Sequence, residues 1–121
     1  FFSNLENVLH IISLENKTAI LMGDIYINLL DYTSPVVISY TSLLQSYGFE
    51  SLNDVPTQQV PSGAGTLIDH ALSNSLISPQ LKVLDSDITD HYPLLLRFNR
   101  QLRPCTLPHS NNNMFWIKRV S

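Results

Sequence analysis

Three groups of polar side chains along the chain have the types that metal and phosphate chemistry uses. They are Asp24 after an apolar run, Asp69 in a Leu-Ile-Asp-His segment, and the adjacent pair Asp90 and His91. A buried carboxylate needs a partner, and a catalytic histidine needs a carboxylate that fixes its tautomer and stabilises its charged form. Taken singly, each group also has an ordinary explanation as a turn, cap or surface residue. Only their convergence on one pocket would indicate a hydrolase site.

Two helices are predicted among the elements that must position these side chains. The first covers residues 4–14, with a capping box from Ser3 to Glu6 and an apolar stripe. The second begins with Ser34 as its cap and Pro35 at its first position, and it ends at Gly48. The residues predicted to be buried are Leu5, Val8, Leu9 and Ile12 in the first helix, and Ile38, Leu43, Leu44 and Tyr47 in the second.

Short apolar runs predict five strands, at residues 18–22, 49–53, 66–69, 80–84 and 94–98. The first is a continuous run of strand formers, which is typical of a strand covered on both faces. A loop rich in proline and glycine is predicted over residues 54–65. Because neighbouring strand residues point to opposite faces, His70 is expected to face away from Asp69.

Composition favours one compact unit with a distinct tail. The chain has 121 residues, of which 44% are hydrophobic and 14% charged, and its single cysteine, Cys105, excludes an internal disulfide. No apolar run approaches the roughly 20 residues of a membrane helix. All ten acidic residues lie at or before Asp90, whereas five of the seven basic residues lie at or after Arg97. An acidic body binds phosphate well only if its carboxylates hold a metal.

The order of these motifs resembles the second half of the endonuclease/exonuclease/phosphatase superfamily. It is most similar to the endonuclease domains of non-LTR retrotransposons, and the similarity extends from Leu5 to Phe98. The residues that carry it are Gly23-Asp24, Tyr47-Gly-Phe49, Asn53, Pro56-Thr57, Leu67-Ile-Asp-His70 and Thr89-Asp-His-Tyr-Pro-Leu94.

The resemblance implies an α+β fold that is half of a four-layered α/β/β/α sandwich, with one mixed sheet and flanking helices. Residues 1–98 would be the C-terminal half of the domain, and residues 99–121 a basic tail or linker. Because the chain starts at Phe1 without an initiator methionine or signal peptide, we expect a fragment whose missing N-terminal half supplies an early Asn and the main metal-binding Glu.

The resemblance also implies a Mg²⁺- or Mn²⁺-dependent phosphodiesterase that nicks DNA by in-line attack of water, acting in the nucleus beside a reverse transcriptase. By that similarity Asp24 would orient or deprotonate the water, and His91 would contact the phosphate. Asp69 would orient His91, and Asp90 would lie beside the metal.

Two positions depart from the family pattern. Tyr26 stands where Gly-Asp-X-Asn has its asparagine, and Gln58 stands where the retrotransposon relatives tend to have arginine. Two other functions remain open: a non-catalytic remnant or nucleic-acid-binding module, and a phospholipid or phosphoinositide phosphodiesterase on the same scaffold. The apolar segment 114–117 and the basic pair after it are expected to dock on a neighbouring domain or to contact nucleic acid.

Overall fold

A computed structural model describes residues 1–61, 63–76 and 79–98. Its elements are α1 (Phe2–Glu15), β1 (Ile20–Asp24), α2 (Pro35–Ser46), β2 (Glu50–Ser51), β3 (Asp69–Ser73), β4 (Gln80–Val83) and β5 (Leu94–Arg97). Helices together with antiparallel sheets make the fold α+β, as expected. The predicted tail at 99–121 lies outside the described residues. None of the described helices is long and apolar enough to cross a membrane.

The strands form two separate antiparallel sheets. In the larger sheet β3 lies in the centre, between β1 and β2, and β4 pairs with β5 in the smaller sheet. This arrangement differs from the single mixed sheet that was expected. β1 pairs with all five residues of β3 on one side, and β2 pairs with Leu72 and Ser73 on the other. Two isolated bridges, from Gln58 to Thr66 and from Gln58 to His91, connect the segments around the smaller sheet.

The first helix begins earlier than predicted. Phe1 is its N-cap, without a side-chain capping bond, and the Leu5 amide donates to the Phe1 carbonyl at 2.9 Å. Ser3 therefore lies inside the helix, so the predicted capping box from Ser3 to Glu6 is wrong. Ser3 and Glu6 are both exposed. The beginning is set by the backbone bond to Phe1, which a cap search based on side chains does not detect.

The apolar stripe of α1 is narrower than predicted. Leu9 is buried and Leu5 and Ile12 pack against the core, whereas Val8 is 45% exposed. Leu5, Leu9 and Ile12 follow one another at spacings of four and three, so they share one face. Val8 lies at the edge of that face.

The second helix has the predicted beginning, with Ser34 as N-cap and Pro35 in the first turn. It buries Val37, Tyr40 and Leu44, at spacings of three and four. Ile38, predicted to be buried, is 52% exposed because it is one residue past Val37 and turns away from the core. Of the other predicted residues, Leu44 is buried and Leu43 and Tyr47 are partly buried.

Both helices contribute to a core on one face of the larger sheet. His70 and Leu72 of β3 point to this face, since His70 contacts Tyr40 of α2 and Leu72 belongs to the core cluster. Alternation along the strand then places Asp69 and Ala71 on the opposite face. The prediction that His70 faces away from Asp69 is confirmed. The candidate chemistry therefore lies on the sheet face that the helices do not cover.

Candidate functional site

Asp24 and Asp69 are direct cross-strand neighbours at one end of the larger sheet. The register of β1 and β3 pairs these two residues, although each was predicted at a separate strand end. The next pair in the register, Ile25 and Ile68, is hydrogen-bonded, because the Ile25 amide donates to the Ile68 carbonyl at 2.9 Å. Antiparallel ladders alternate, so Asp24 and Asp69 form a non-hydrogen-bonded pair, the kind in which side chains lie closer together. Two carboxylates facing each other in this way repel unless a positive group lies beside them.

His91 supplies one such group. Its Nδ1 lies 2.8 Å from Asp69 Oδ2, and its side chain is about one third exposed. The hydrogen bond with Asp69 is the main cause that raises the pKa of His91 above its ordinary value, and the charges of Asp69, Asp90 and Asp24 add to it. With Nδ1 donating to Asp69, Nε2 is left for a second partner.

Backbone contacts hold the His91 segment against the loop before β3. The Tyr92 amide donates to the Thr57 carbonyl at 2.7 Å, and the Gln59 amide donates to the Asp90 carbonyl at 2.8 Å. Thr89 Oγ1 accepts from the His91 amide at 3.1 Å and donates to the His91 carbonyl at 3.0 Å. The position of His91 is thus set by contacts on both of its sides.

Thr57 positions Asp69 from below the surface. Its side chain is fully buried, and Oγ1 accepts from the amides of Ile68 at 3.2 Å and Asp69 at 3.0 Å. The strand β2 ends before it reaches this part of β3, so the threonine hydroxyl takes the place of a strand partner. No role was predicted for Thr57. Its only signal in the sequence was its place in the family-like Pro-Thr pair.

Asp90 is not part of the cluster formed by the other three predicted residues. Its exposed side chain accepts a hydrogen bond from Gln58 Nε2 at 2.9 Å, and Gln58 Oε1 accepts one from Thr66 Oγ1 at 3.1 Å. Asp90 is nevertheless near enough to His91 for its charge to help raise the pKa of that histidine. A role beside a metal remains a prediction for Asp90.

Three of the four predicted site residues lie close together in the structure, namely Asp24, Asp69 and His91. One possible ligand atom from each of these residues lies within 4.8 Å of those of the other two, and all three residues are half-buried. Asp24 Oδ1 is the only buried side-chain oxygen or nitrogen of the described residues without a hydrogen-bond partner. A buried carboxylate oxygen without a partner is costly, so this atom suits a cation or a bound donor.

Behind the cluster, a buried hydrogen-bonded pair supports the turn after β1. His70 is 1% exposed; its Nδ1 lies 2.8 Å from the Tyr40 hydroxyl, and its Nε2 lies 2.8 Å from the Ile27 carbonyl. Because a carbonyl only accepts, Nε2 carries the proton and Nδ1 accepts from Tyr40. Burial lowers the pKa of His70 and raises that of Tyr40, so both are neutral near pH 7. This pair is structural.

Both positions that depart from the family pattern, Tyr26 and Gln58, lie among the described residues. Tyr26 is 82% exposed and adopts a left-handed backbone with φ of 59°. Asn28 does not replace the missing asparagine, because its Oδ1 accepts from the amides of Leu67 at 2.9 Å and Leu30 at 3.2 Å. Gln58 lies beside the site and is bound to Asp90.

Comparisons of this chain with protein-family models, with curated proteins and with solved structures found no match. The family resemblance therefore stays a prediction.

Proposed function

We propose that the chain carries part of the active site of a divalent-cation-dependent phosphodiesterase that nicks DNA. The observation that supports this most is the convergence of Asp24, Asp69 and His91 at one end of the sheet. Two carboxylates with a histidine of raised pKa can together bind a cation, orient water and neutralise a phosphate. A structural role for the three residues would not require an unpartnered buried oxygen on Asp24.

The two carboxylates are the groups that would hold the cation. Mg²⁺ and Mn²⁺ prefer oxygen ligands, and Asp24 Oδ1 is a buried oxygen that needs a positive partner. Such a cation would also offset the repulsion between the paired carboxylates. When bound, it would polarise a phosphoryl oxygen and stabilise the leaving group.

In the proposal, His91 contacts the phosphate and Asp24 contacts the attacking water. The hydrogen bond from Nδ1 to Asp69 orients the imidazole and favours its protonated form. In the proposal Nε2 donates to a phosphate oxygen and neutralises the charge that develops there. The Asp24 carboxylate accepts a hydrogen bond from the attacking water and holds it in line with the phosphorus.

We also propose a more detailed architecture than the α+β class. The chain would be the C-terminal half of a four-layered sandwich, with the face of the larger sheet opposite the helices packed on the sheet of the other half. That half would contribute the main metal-binding Glu. The placement of α1 and α2 on one face only is consistent with this arrangement.

Nicking of supercoiled plasmid with Mg²⁺ or Mn²⁺, against an EDTA control, tests the activity in a complete domain that joins this chain to the half carrying the Glu. We expect His91→Ala to abolish nicking, whereas His10→Ala is a matched control, because His10 is an exposed histidine on α1. Asp24→Asn should also abolish nicking, with Asp54→Asn as its exposed control. A rate unchanged by His91→Ala would remove His91 from the mechanism.

Cation binding is tested separately, by the paramagnetic broadening that Mn²⁺ causes in amide NMR signals. The signals near Asp24 and Asp69 should broaden first, and Asp24→Asn should prevent it. Salt-sensitive DNA binding without any response to the cation would instead favour a non-catalytic nucleic-acid-binding module. Hydrolysis of phosphoinositide in vesicles without plasmid nicking would favour the lipid substrate.

A further inference from the structure

Tyr26 has a backbone conformation that its residue type disfavours. Its φ is 59°, and in this left-handed region the Cβ atom lies too close to the following carbonyl oxygen. The one other described residue of this kind that is not glycine is Asn16, which ends α1 and belongs to a type that tolerates the conformation. A bulky aromatic residue at such a position calls for an explanation.

The surrounding structure holds the turn at Tyr26 from both sides. On one side the Ile25 amide donates to the Ile68 carbonyl at 2.9 Å. On the other, the Ile27 carbonyl accepts from the buried ring of His70 at 2.8 Å. The conformation is therefore imposed by contacts of the neighbours, and strained residues held in this way cluster at ligand-binding sites.

The phenol ring of Tyr26 is largely separate from the described part of the chain. Its residue is 82% exposed, and its side chain has no hydrogen bond or ring contact with any described residue. Tyr26 also follows Asp24 by only two positions, so their Cα atoms lie no more than about 7 Å apart. The backbone of this exposed tyrosine thus lies close to Asp24 of the cluster formed by Asp24, Asp69 and His91.

We infer that Tyr26 is a binding residue that stacks on an unpaired nucleobase next to the phosphodiester held at that cluster. The inference rests on the proposed function. A flat aromatic ring binds the face of any base, so this contact would add affinity with little preference for sequence. It would also compensate for a site whose own charges are mainly negative and attract DNA poorly without a cation.

Equilibrium binding of short single-stranded oligonucleotides tests the inference, with Ca²⁺ in place of Mg²⁺ to supply a divalent cation with the same preference for oxygen ligands. One probe carries every base and the others carry a single abasic position at successive places. For wild type we expect one abasic position to weaken binding by roughly 5- to 150-fold, the range of a base stacked on an aromatic side chain. Tyr26→Phe should retain this loss, and Tyr26→Leu should eliminate it.

Two further variants make the result specific. Tyr32→Leu is the matched control, because Tyr32 is also a surface tyrosine, 70% exposed, without a left-handed backbone. Tyr32→Leu should bind the complete probe and the abasic probes as wild type does. Tyr26→Gly should raise the midpoint of thermal unfolding, since glycine accepts the conformation, while losing the discrimination between probes.

Equal binding of the complete and abasic probes by wild type, or no oligonucleotide binding, would overturn the inference. So would unchanged discrimination in Tyr26→Leu. If plasmid nicking fails while discrimination depends on Tyr26, the stacking contact stands and the proposed hydrolysis is wrong. If nicking succeeds without discrimination, the stacking contact alone is wrong.

Discussion

The hydroxyl of Thr57 is the most informative single group to remove, because it joins the stability of the fold to the position of Asp69. It is fully buried and accepts hydrogen bonds from two successive amides, those of Ile68 and Asp69. Thr57→Val keeps the shape of the side chain and removes the acceptor. Thr57→Ser keeps the acceptor and removes one methyl group.

The two variants differ in the free energy of unfolding that they should lose. A buried donor left without a partner costs about 1–3 kcal/mol, so two donors would cost ~2–6 kcal/mol. A buried methyl group contributes only about 0.8 kcal/mol. If hydrogen bonding is the main role of Thr57, valine should be the more destabilising replacement by a wide margin, although it is closer in volume.

Urea unfolding followed by circular dichroism gives the two losses of stability. NMR titration of the His91 ring adds a measurement specific to the site. If Asp69 moves when its amide loses Thr57, the pKa of His91 should fall toward its ordinary value in Thr57→Val and stay raised in Thr57→Ser. Should Thr57→Val unfold altogether, the serine variant still supplies the comparison with wild type.

Equal destabilisation by the two variants would refute this account and assign Thr57 a packing role. A His91 pKa that stays raised in a folded Thr57→Val protein would show that Asp69 does not depend on Thr57 for its position.

Three other perturbations have expected outcomes. Asp69→Asn should lower the pKa of His91 toward 6.5, which an NMR titration of the ring measures. Wild type should lose stability as the pH rises from 6.5 through the raised pKa of His91, whereas Asp69→Asn should not, and unfolding measured across this pH range tests the difference. Burial lowers the pKa of His70, so below pH 6.5 the unfolded chain takes up a proton that the folded chain does not. Stability should then fall by up to ~1.4 kcal/mol per pH unit until the folded pKa is reached, and a slope unchanged in His70→Gln would contradict this. Gly65→Ala should destabilise more than Gly48→Ala in thermal unfolding. Both glycines have positive φ, but only at Gly65 would a Cβ lie 2.9 Å from a backbone oxygen and from a proline carbon, and equal losses would show that the loop adapts.

Local sequence patterns were sufficient to locate the helices and four of the five strands, whereas the predicted run 66–69 shares only Asp69 with β3 and was otherwise wrong. The periodicity of α2, with Pro35 in its first turn and Gly48 after its end, predicts both the element and its bounds, because a proline begins and a glycine ends a helix through their own backbone preferences. The strands β4 and β5 likewise lie within the predicted runs 80–84 and 94–98. The chemical types of the candidate residues, three aspartates and a histidine, were also readable, since these depend on composition alone.

Tertiary structure decided which of those residues meet. The pairing of Asp24 with Asp69 depends on the register between strands far apart in sequence, and a slip of one residue would place one carboxylate on the helix-covered face. The burial of Thr57 and the left-handed backbone of Tyr26 depend on contacts from distant segments, which no local pattern encodes. Residue type therefore determined what chemistry is possible here, whereas strand register and long-range hydrogen bonds decided where the groups lie, because both are properties of pairs of segments.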